Sequence, residues 1–379
     1  MTSGPLSGVR VLDLSGLGPA PFATLVLADF GATVLSVRRP DPMPFDPAKA
    51  MARGKESIGL DLRAPEGQAV ARRLAAGADV LVEGFRPGVM ERLGLGPDPL
   101  LEANPRLVYA RLTGWGQTGP YAKRAGHDIN YLAISGALGV CGEAQPTAPP
   151  GLLGDLANGS YLLVIGVLMA LFERERTGRG QVVDAAITDG ASYMLTPMFA
   201  ELALGLWDGD LAHSMLAGAA PFYGAYQCAD ARWFSAGAIE PKFYASFLTV
   251  LGLGDVDSSP AAQMDRAAWP ALRERVAATF VTRPQAEWTV LFADAEACGA
   301  PVLNPDELPD DPHLGDRGTV RRGEGRLNAA PAPRLSAHPE LVSTFREAGA
   351  RAPEAILGEA GFEAAEIQAL LADKVVWAG

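Results

Sequence analysis

Strand-like and helix-like stretches alternate along the first half of the chain, and this alternation constrains the fold more than any other feature. Short apolar runs suited to buried strands lie at 9–14, 33–37, 79–82 and 107–112, and another lies at 182–187. Helix patterns at 21–30 and 65–76 separate them and are followed by Gly31 and Gly77. Strands joined by helical crossovers form a parallel sheet covered on both faces. We therefore expect an α/β fold built on a parallel sheet.

A different pattern begins after residue 221. Two β-like runs between 223 and 239 flank Asp230-Ala231-Arg232, which is typical of a hairpin. The 379 residues also exceed the usual size of one domain. We expect a large domain over 1–188, a linker over 189–221, a smaller α/β domain over 222–315, and a linker with a C-terminal return to the large domain over 316–379.

Composition argues against several classes of protein. The formal net charge of −12 opposes binding to nucleic acid or to anionic membranes. The longest apolar stretch, 161–172, is short for a bilayer span, and the N-terminus lacks an export signal. Cys141, Cys228 and Cys298 form no CxxC pair, so neither a disulfide framework nor a zinc site is indicated. We expect a cytoplasmic protein with no nucleic-acid, membrane or metal partner.

Basic residues are nevertheless concentrated in the first quarter of the chain, where they could hold an anionic ligand. They are Arg38, Arg39, Arg53, Lys55, Arg63, Arg86 and Arg92. Gly16-Leu17-Gly18 resembles the start of a dinucleotide fingerprint, but Pro21 occupies the third glycine position, which disfavours a nicotinamide enzyme. The chain also lacks a phosphate loop, a GxSxG elbow and an HExxH motif.

Three residues remain as candidates for chemistry, each with a structural alternative. His127 lies beside Asp128 in a glycine-rich loop, so it is either a titrating group or part of a solvated turn. Asp155 heads a long apolar helix, where an N-cap aspartate is stabilised as the ion and nearby N–H groups could stabilise an oxyanion. Glu240 either stabilises the helix that it opens or orients a histidine.

Taken together, several segments resemble the class-III CoA-transferase family and, within it, the α-methylacyl-CoA racemase branch. They lie in the expected order at 5–14, 83–89, 126–128, 154–155 and 177–185. The resemblance implies a large Rossmann-like domain and a small domain in each chain of an interlocked homodimer. It also implies an acyl-CoA thioester substrate, with no cofactor beyond the CoA moiety of that substrate and no metal.

The resemblance implies a CoA site along the large domain, in agreement with the basic cluster, because guanidinium groups bind phosphates through forked hydrogen bonds. The implied residues are Arg39, Leu60, Asp61, Leu62, Arg63, Gly84, Phe85, Arg86, Arg92, Gly126, Asp128, Ile129, Asn130 and Tyr131.

The resemblance further implies racemisation of a 2-methylacyl-CoA in lipid metabolism. His127 and Asp155 would be the bases on the two faces of the α-carbon, and Glu240 would hold His127. A backbone N–H following Gly154 would meet the enolate oxygen. Two alternatives stay open: a CoA-transferase, in which Asp155 forms an acyl anhydride, and an acyl-CoA binding protein without catalysis. The presence of His127 and the segment 237–240 favour racemisation.

Overall fold

The computed structural model describes residues 4–16, 18–40, 51–142, 146–323, 326–342, 348–349 and 351–379. The chain forms two compact units. The large unit contains residues 1–136, 149–194 and 312–379, and the small unit contains residues 137–148 and 195–311.

A seven-stranded sheet organises the large unit. Its strands are β1 (Arg10–Asp13), β2 (Thr33–Arg38), β3 (Glu56–Leu60), β4 (Val80–Glu83), β5 (Val108–Thr113), β6 (Val182–Ala186) and β12 (Val376–Ala378), in the order β12-β3-β2-β1-β4-β5-β6. Only β12 runs antiparallel to its neighbour in this sheet, with Val376 opposite Leu60. The predicted α/β fold with a parallel sheet is confirmed.

Helices cover both faces of this sheet because alternate strand residues point to opposite sides. On β1, Val11 packs in one apolar core with residues of the first and sixth helices, whereas Leu12 packs in the other core with residues of the second helix. The helices in chain order are α1 (Ala20–Asp29), α2 (Pro65–Ala76), α3 (Val89–Arg92), α4 (Pro97–Ala103), α5 (Asp128–Ser135), α6 (Leu162–Thr177), α7 (Ile187–Met194), α8 (Thr196–Ala203), α9 (Pro241–Val250), α10 (Pro260–Gln263), α11 (Trp269–Phe280), α12 (Gln285–Ala293), α13 (Pro312–Asp316), α14 (Pro353–Glu359) and α15 (Ala364–Ala372).

A widened helical segment, Leu152–Tyr161, runs directly into α6. Its hydrogen bonds span five residues, as in the bond from the Leu156 N–H to the Gly151 carbonyl, and such π-helical turns often mark functional sites. The segment begins after Gly151, so Asp155 lies within the helix and the prediction that it is the N-cap is wrong.

Among the described residues, Leu152–Thr177 is also the one helix of sufficient length and apolarity to cross a membrane. Within its most apolar window, 44% is buried inside the protein, and Leu163 and Val167 belong to the core beneath the sheet. Core helices of this kind meet the same criterion.

The small unit contains an antiparallel sheet of β7 (Tyr223–Gln227), β8 (Trp233–Gly237) and β9 (Gly299–Pro301). The predicted hairpin is confirmed, and Ala231 takes the left-handed conformation in its turn at φ 62°. Aromatic rings fill the core of this unit, with Phe280 stacked on Tyr226 at 5.1 Å between ring centroids. In the large unit, β10 (Val320–Gly323) pairs antiparallel with β11 (Arg326–Ala329).

Two strands of the large sheet were not anticipated from the sequence. In β3, Ser57 and Gly59 interrupt the apolar residues, so the strand has no continuous apolar run. β12 has only three residues, too few for a clear pattern. Near the C-terminus, α14 and α15 are separate helices, and Gly361 between them adopts a positive φ of 80°. Only glycine takes that conformation without steric cost.

Candidate active site

The strand order of the large sheet reverses between β1 and β4, and a cavity of about 600 Å³ lies beside the loops that follow these strands. Open parallel sheets bind ligands at such a crevice, outside the carboxyl ends of the strands. The cavity is lined by Gly18, Pro19, Ala20, Arg39, Gly84, Phe85, Arg86, Pro87, Leu112, Thr113, Gly114, Trp115, Ala122, Arg124, Ala125, Gly126, His127, Tyr131, Asp155 and Ile187.

The wall that follows β4 is held by the buried carboxylate of Glu83. One of its oxygens accepts a hydrogen bond from the Phe85 N–H at 2.7 Å, and the other accepts one from Nε of Arg111 at 2.8 Å. Burial raises the pKa of Glu83 to about 6, against the opposing effects of the Phe85 N–H and the Arg111 charge. Because Glu83 is 0% exposed, loss of either contact would leave a buried carboxylate short of a partner. Gly84, Phe85 and Arg86 are thereby fixed at the cavity.

The wall that follows β1 rests on a second buried ion pair. Nζ of Lys55 lies 3.4 Å from the Asp13 carboxylate and donates to Oγ1 of Thr24 and the carbonyl of Pro21, each at 2.7 Å. Thr24 also donates to Asp13 at 2.6 Å. These bonds tie the start of α1, and with it Pro19 and Ala20, to the end of β1.

Two aromatic rings hold the loop that leads to His127. Trp115 packs edge-on against Tyr131 at 4.7 Å between ring centroids, and the Tyr131 hydroxyl donates to the carbonyl of Gly126. A Cβ placed on Gly114 would lie 2.0 Å from the Tyr131 ring, so this approach requires glycine. The packing fixes the backbone one residue before His127.

His127 and Asp155 both line the cavity. His127 is the N-cap of α5, and its N–H donates to Oδ1 of Asn130 at 3.1 Å. Burial, the largest cause, and the charge of Asp128 raise the pKa of Asp155 to about 6, and the charge of His127 opposes the shift. The pKa of an efficient acid/base group lies near the working pH. The expectation that its position in the helix stabilises the ionised form of Asp155 is wrong, because the pKa is raised.

The oxyanion donor predicted after Gly154 is not available. The Asp155 N–H donates to Oδ1 of Asp128 at 2.7 Å, and the Leu156 N–H donates to Gly151. By contrast, within the described part of the chain the first two N–H groups of α5, those of Asp128 and Ile129, have no acceptor. An oxyanion beside His127 would find its donors there.

Three arginines supply positive charge to the cavity: Arg39, Arg86 and Arg124. Arg39 and Arg86 were predicted from the sequence, whereas Arg124 was not. The Arg39 guanidinium also lies 6.0 Å from the centre of the Phe85 ring. This set suits the phosphates of an anionic ligand.

The structure brings eight of the seventeen predicted site residues together around the cavity: Arg39, Gly84, Phe85, Arg86, Gly126, His127, Tyr131 and Asp155. Leu60 is buried in the core at 1% exposure, and Arg63 is paired with Asp61 at 2.9 Å. Leu60, Asp61 and Arg63 do not line the cavity. Six other predicted site residues also do not line it: Leu62, Arg92, Asp128, Ile129, Asn130 and Glu240.

Glu240 belongs to the small unit, where it is the N-cap of α9 and exposed. The backbone before it is anchored by Gln263, whose side-chain amide donates to the Ile239 carbonyl at 2.8 Å. Its contact with His127 stays a prediction.

Two of the cavity residues that sequence reasoning missed, Trp115 and Arg124, carry a large aromatic ring and a positive charge. Trp115 lies between two glycines of the 114–120 loop, and Arg124 precedes His127 by three residues. A large aromatic or a cation within a glycine-rich loop could have indicated both. Across the described ranges, no three His, Cys, Asp or Glu side chains are grouped as metal ligands.

Comparison with known proteins agrees with this geometry. The sequence matches CoA-transferase family III over residues 6–355. The human alpha-methylacyl-CoA racemase is 43% identical over 98% of this chain and 97% of its own length. The succinyl-CoA–D-citramalate CoA-transferase of Chloroflexus aurantiacus is 32% identical, with 88% of this chain and 89% of that protein covered. A CAIB/BAIF family protein from Brucella suis has a similar structure, with a TM-score of 0.76 at 27% identity, covering 94% of this chain and 100% of that one.

Fold and site together define a doubly wound α/β protein with a histidine and an aspartate beside a cationic crevice. The chain belongs to CoA-transferase family III. The resemblance to this family is confirmed.

Proposed function

We propose that this protein is an isomerase that racemises the α-carbon of 2-methylacyl-CoA thioesters. The observation that carries the proposal is that His127 and Asp155 line one cavity together with three arginines. The 43% identity to alpha-methylacyl-CoA racemase over nearly the whole chain supports the same reaction. The physiological role that follows is in lipid metabolism.

The chemistry is a transfer of one proton from one face of the α-carbon to the other. One base, His127 or Asp155, removes the α-proton, and the electron pair of the C–H bond moves into the thioester carbonyl to give an enolate. The other group, in its protonated form, returns a proton to the opposite face. A pKa of about 6 suits Asp155 to both roles near neutral pH.

The enolate oxygen needs hydrogen-bond donors in both directions of the reaction. We assign them to the Asp128 and Ile129 N–H groups at the start of α5, next to His127. Arg39, Arg86 and Arg124 would bind the CoA phosphates. Glu240 would orient His127, as the family resemblance implies.

A homodimer is part of the proposal. One face of α6 carries large apolar side chains that are exposed to solvent. Their exposed fractions include 48% for Ile165, 66% for Met169 and 69% for Phe172. Contiguous exposed apolar surface of this kind marks protein contacts. We assign it to a second copy of the chain. A cytoplasmic location is likewise proposed.

The test is incubation with one epimer of a 2-methylacyl-CoA in D₂O without an acid acceptor. Racemisation predicts α-deuteration and drift towards an even mixture of epimers, and H127A should show neither at a comparable rate. CoA transfer to an added carboxylic acid, without exchange in its absence, would support the transferase alternative. Binding with neither reaction would support a non-catalytic acyl-CoA binding protein.

A further inference from the structure

The side chain of Asp128 connects the two proposed acid/base groups without lining the cavity. Its Oδ1 accepts the backbone N–H of Asp155 at 2.7 Å. Asp128 also directly follows His127, the N-cap of α5. One hydrogen bond therefore links the loop of His127 to the widened helix of Asp155.

Gly154 provides the space for this contact. A Cβ on Gly154 would lie 2.3 Å from Oδ1 of Asp128, 2.9 Å from its Cγ and 3.3 Å from Cγ of Leu132. Gly154 is buried and its φ is not positive, so the requirement for glycine comes from the space and not from the backbone conformation. A methyl group here would displace the Asp128 carboxylate and leave the Asp155 N–H unsatisfied.

We propose that Asp128 is a positioning residue, seated against Gly154, that sets the placement of Asp155 relative to His127. The inference rests on the proposed function and extends it, because a base on each face of one carbon works only at a fixed separation. Misplacement of a reacting group by about 1 Å costs roughly a hundredfold in rate. Asp128 had been assigned to CoA binding by the family resemblance, and the structure gives its carboxylate a different contact.

Asp128 also acts on Asp155 through its charge. Burial is the largest cause of the raised pKa of Asp155, followed by the negative charge of Asp128, whereas His127 lowers it. The other groups around the cavity are the Tyr131 hydroxyl and the guanidinium groups of Arg39, Arg86 and Arg124. Geometry and charge at Asp128 can be separated by substitution.

The experiment compares D128N, D128A and G154A in the α-proton exchange assay. D128N keeps an oxygen acceptor and loses the charge, so it should keep most of kcat while the acidic limb of kcat/KM moves to lower pH. D128A and G154A lose the seated acceptor, and kcat should fall by about tenfold to a hundredfold with little change in KM. G358A is the matched control, because a Cβ on Gly358 meets nothing within 4 Å.

Wild-type kcat and an unshifted pH profile in D128A would overturn the proposal. An equal loss of kcat in D128N and D128A would overturn the positioning role, because the acceptor alone would then have no effect. The charge interaction is also measurable without turnover, in a double-mutant cycle of D128N and D155N followed by urea unfolding at pH 8. D155N removes a carboxylate that burial and Asp128 destabilise, so it should raise the free energy of unfolding. A smaller rise in the D128N background supports the interaction between Asp128 and Asp155 even if wild-type protein catalyses no exchange. Equal rises in the two backgrounds contradict it.

Discussion

Replacing Asp155 with Asn should abolish exchange and yet stabilise the protein. In the folded state burial and the neighbouring charge of Asp128 raise the pKa of Asp155 from 3.8 to about 6. Between about pH 4 and pH 6 the folded state binds more protons than the unfolded state, so the free energy of unfolding falls as the pH rises through this range and the ionised carboxylate destabilises the fold. The destabilisation is fully present above pH 6 and disappears as the pH falls towards 4.

The magnitude follows from the shift. Each pKa unit corresponds to about 1.4 kcal/mol, which sets an upper limit of about 3 kcal/mol for Asp155. Partial exposure of the carboxylate screens its charge, and we expect D155N to raise the free energy of unfolding by roughly 1–2 kcal/mol at pH 8. At pH 5 the gain should fall by about half, because the wild-type carboxyl is then largely protonated.

The assay is urea unfolding of dilute protein at pH 8 and pH 5, followed by tryptophan fluorescence. E102Q is the control, since it removes one negative charge at an exposed position of α4 and should leave stability unchanged. A D155N variant no more stable than wild type at pH 8, or equally stabilised at both pH values, would refute the reasoning.

Further outcomes test the site and the assembly. H127A should slow α-proton exchange by at least about a hundredfold while CoA-ester binding is retained; unchanged turnover would remove it from the site. R86A should raise the KM for CoA esters by roughly tenfold to a hundredfold, the equivalent of one charge-assisted hydrogen bond; an unaffected KM would place the phosphates elsewhere. D13N should cost about 3 kcal/mol in urea unfolding by leaving Lys55 buried without its counter-ion, and a cost below about 1 kcal/mol would show that the pair is dispensable. Light scattering should give a dimer for wild type and a monomer for F172E, which places a charge on the exposed face of α6; a monomeric wild type would contradict the proposed assembly.

Local apolar patterns predicted five of the seven strands of the large sheet. The apolar runs that became β1, β2, β4 and β5 are largely buried, and the apolar run of β6 is buried at its end, which produces a strong local pattern. The sequence ESIGL of β3 has no such run, and its strand conformation depends on pairing with β2 and β12. Pairing between distant segments leaves little trace in a local pattern.

The site was predictable in residue type but not in contacts. His127 and Asp155 stand out as polar groups at the start of helices, and the cavity contains both. The bond between Asp128 and the Asp155 backbone joins positions far apart in sequence, so no spacing rule reveals it. Arg63 belongs to the basic cluster, and the structure pairs it with Asp61 two residues earlier. Its role in phosphate binding stays a prediction.

The pairing of β12 with β3 has a consequence for synthesis of the chain. β3 forms early in the sequence, while β12 follows the entire small unit, so the ribosome must complete residues 195–311 before this edge of the sheet can be closed. Until then β3 presents unpaired backbone groups, a template for association with other chains. The small unit, contained almost entirely within that one stretch, can fold during the same interval. Closure of the large sheet is therefore a late, non-local step, and the nascent chain is most prone to aggregation just before it.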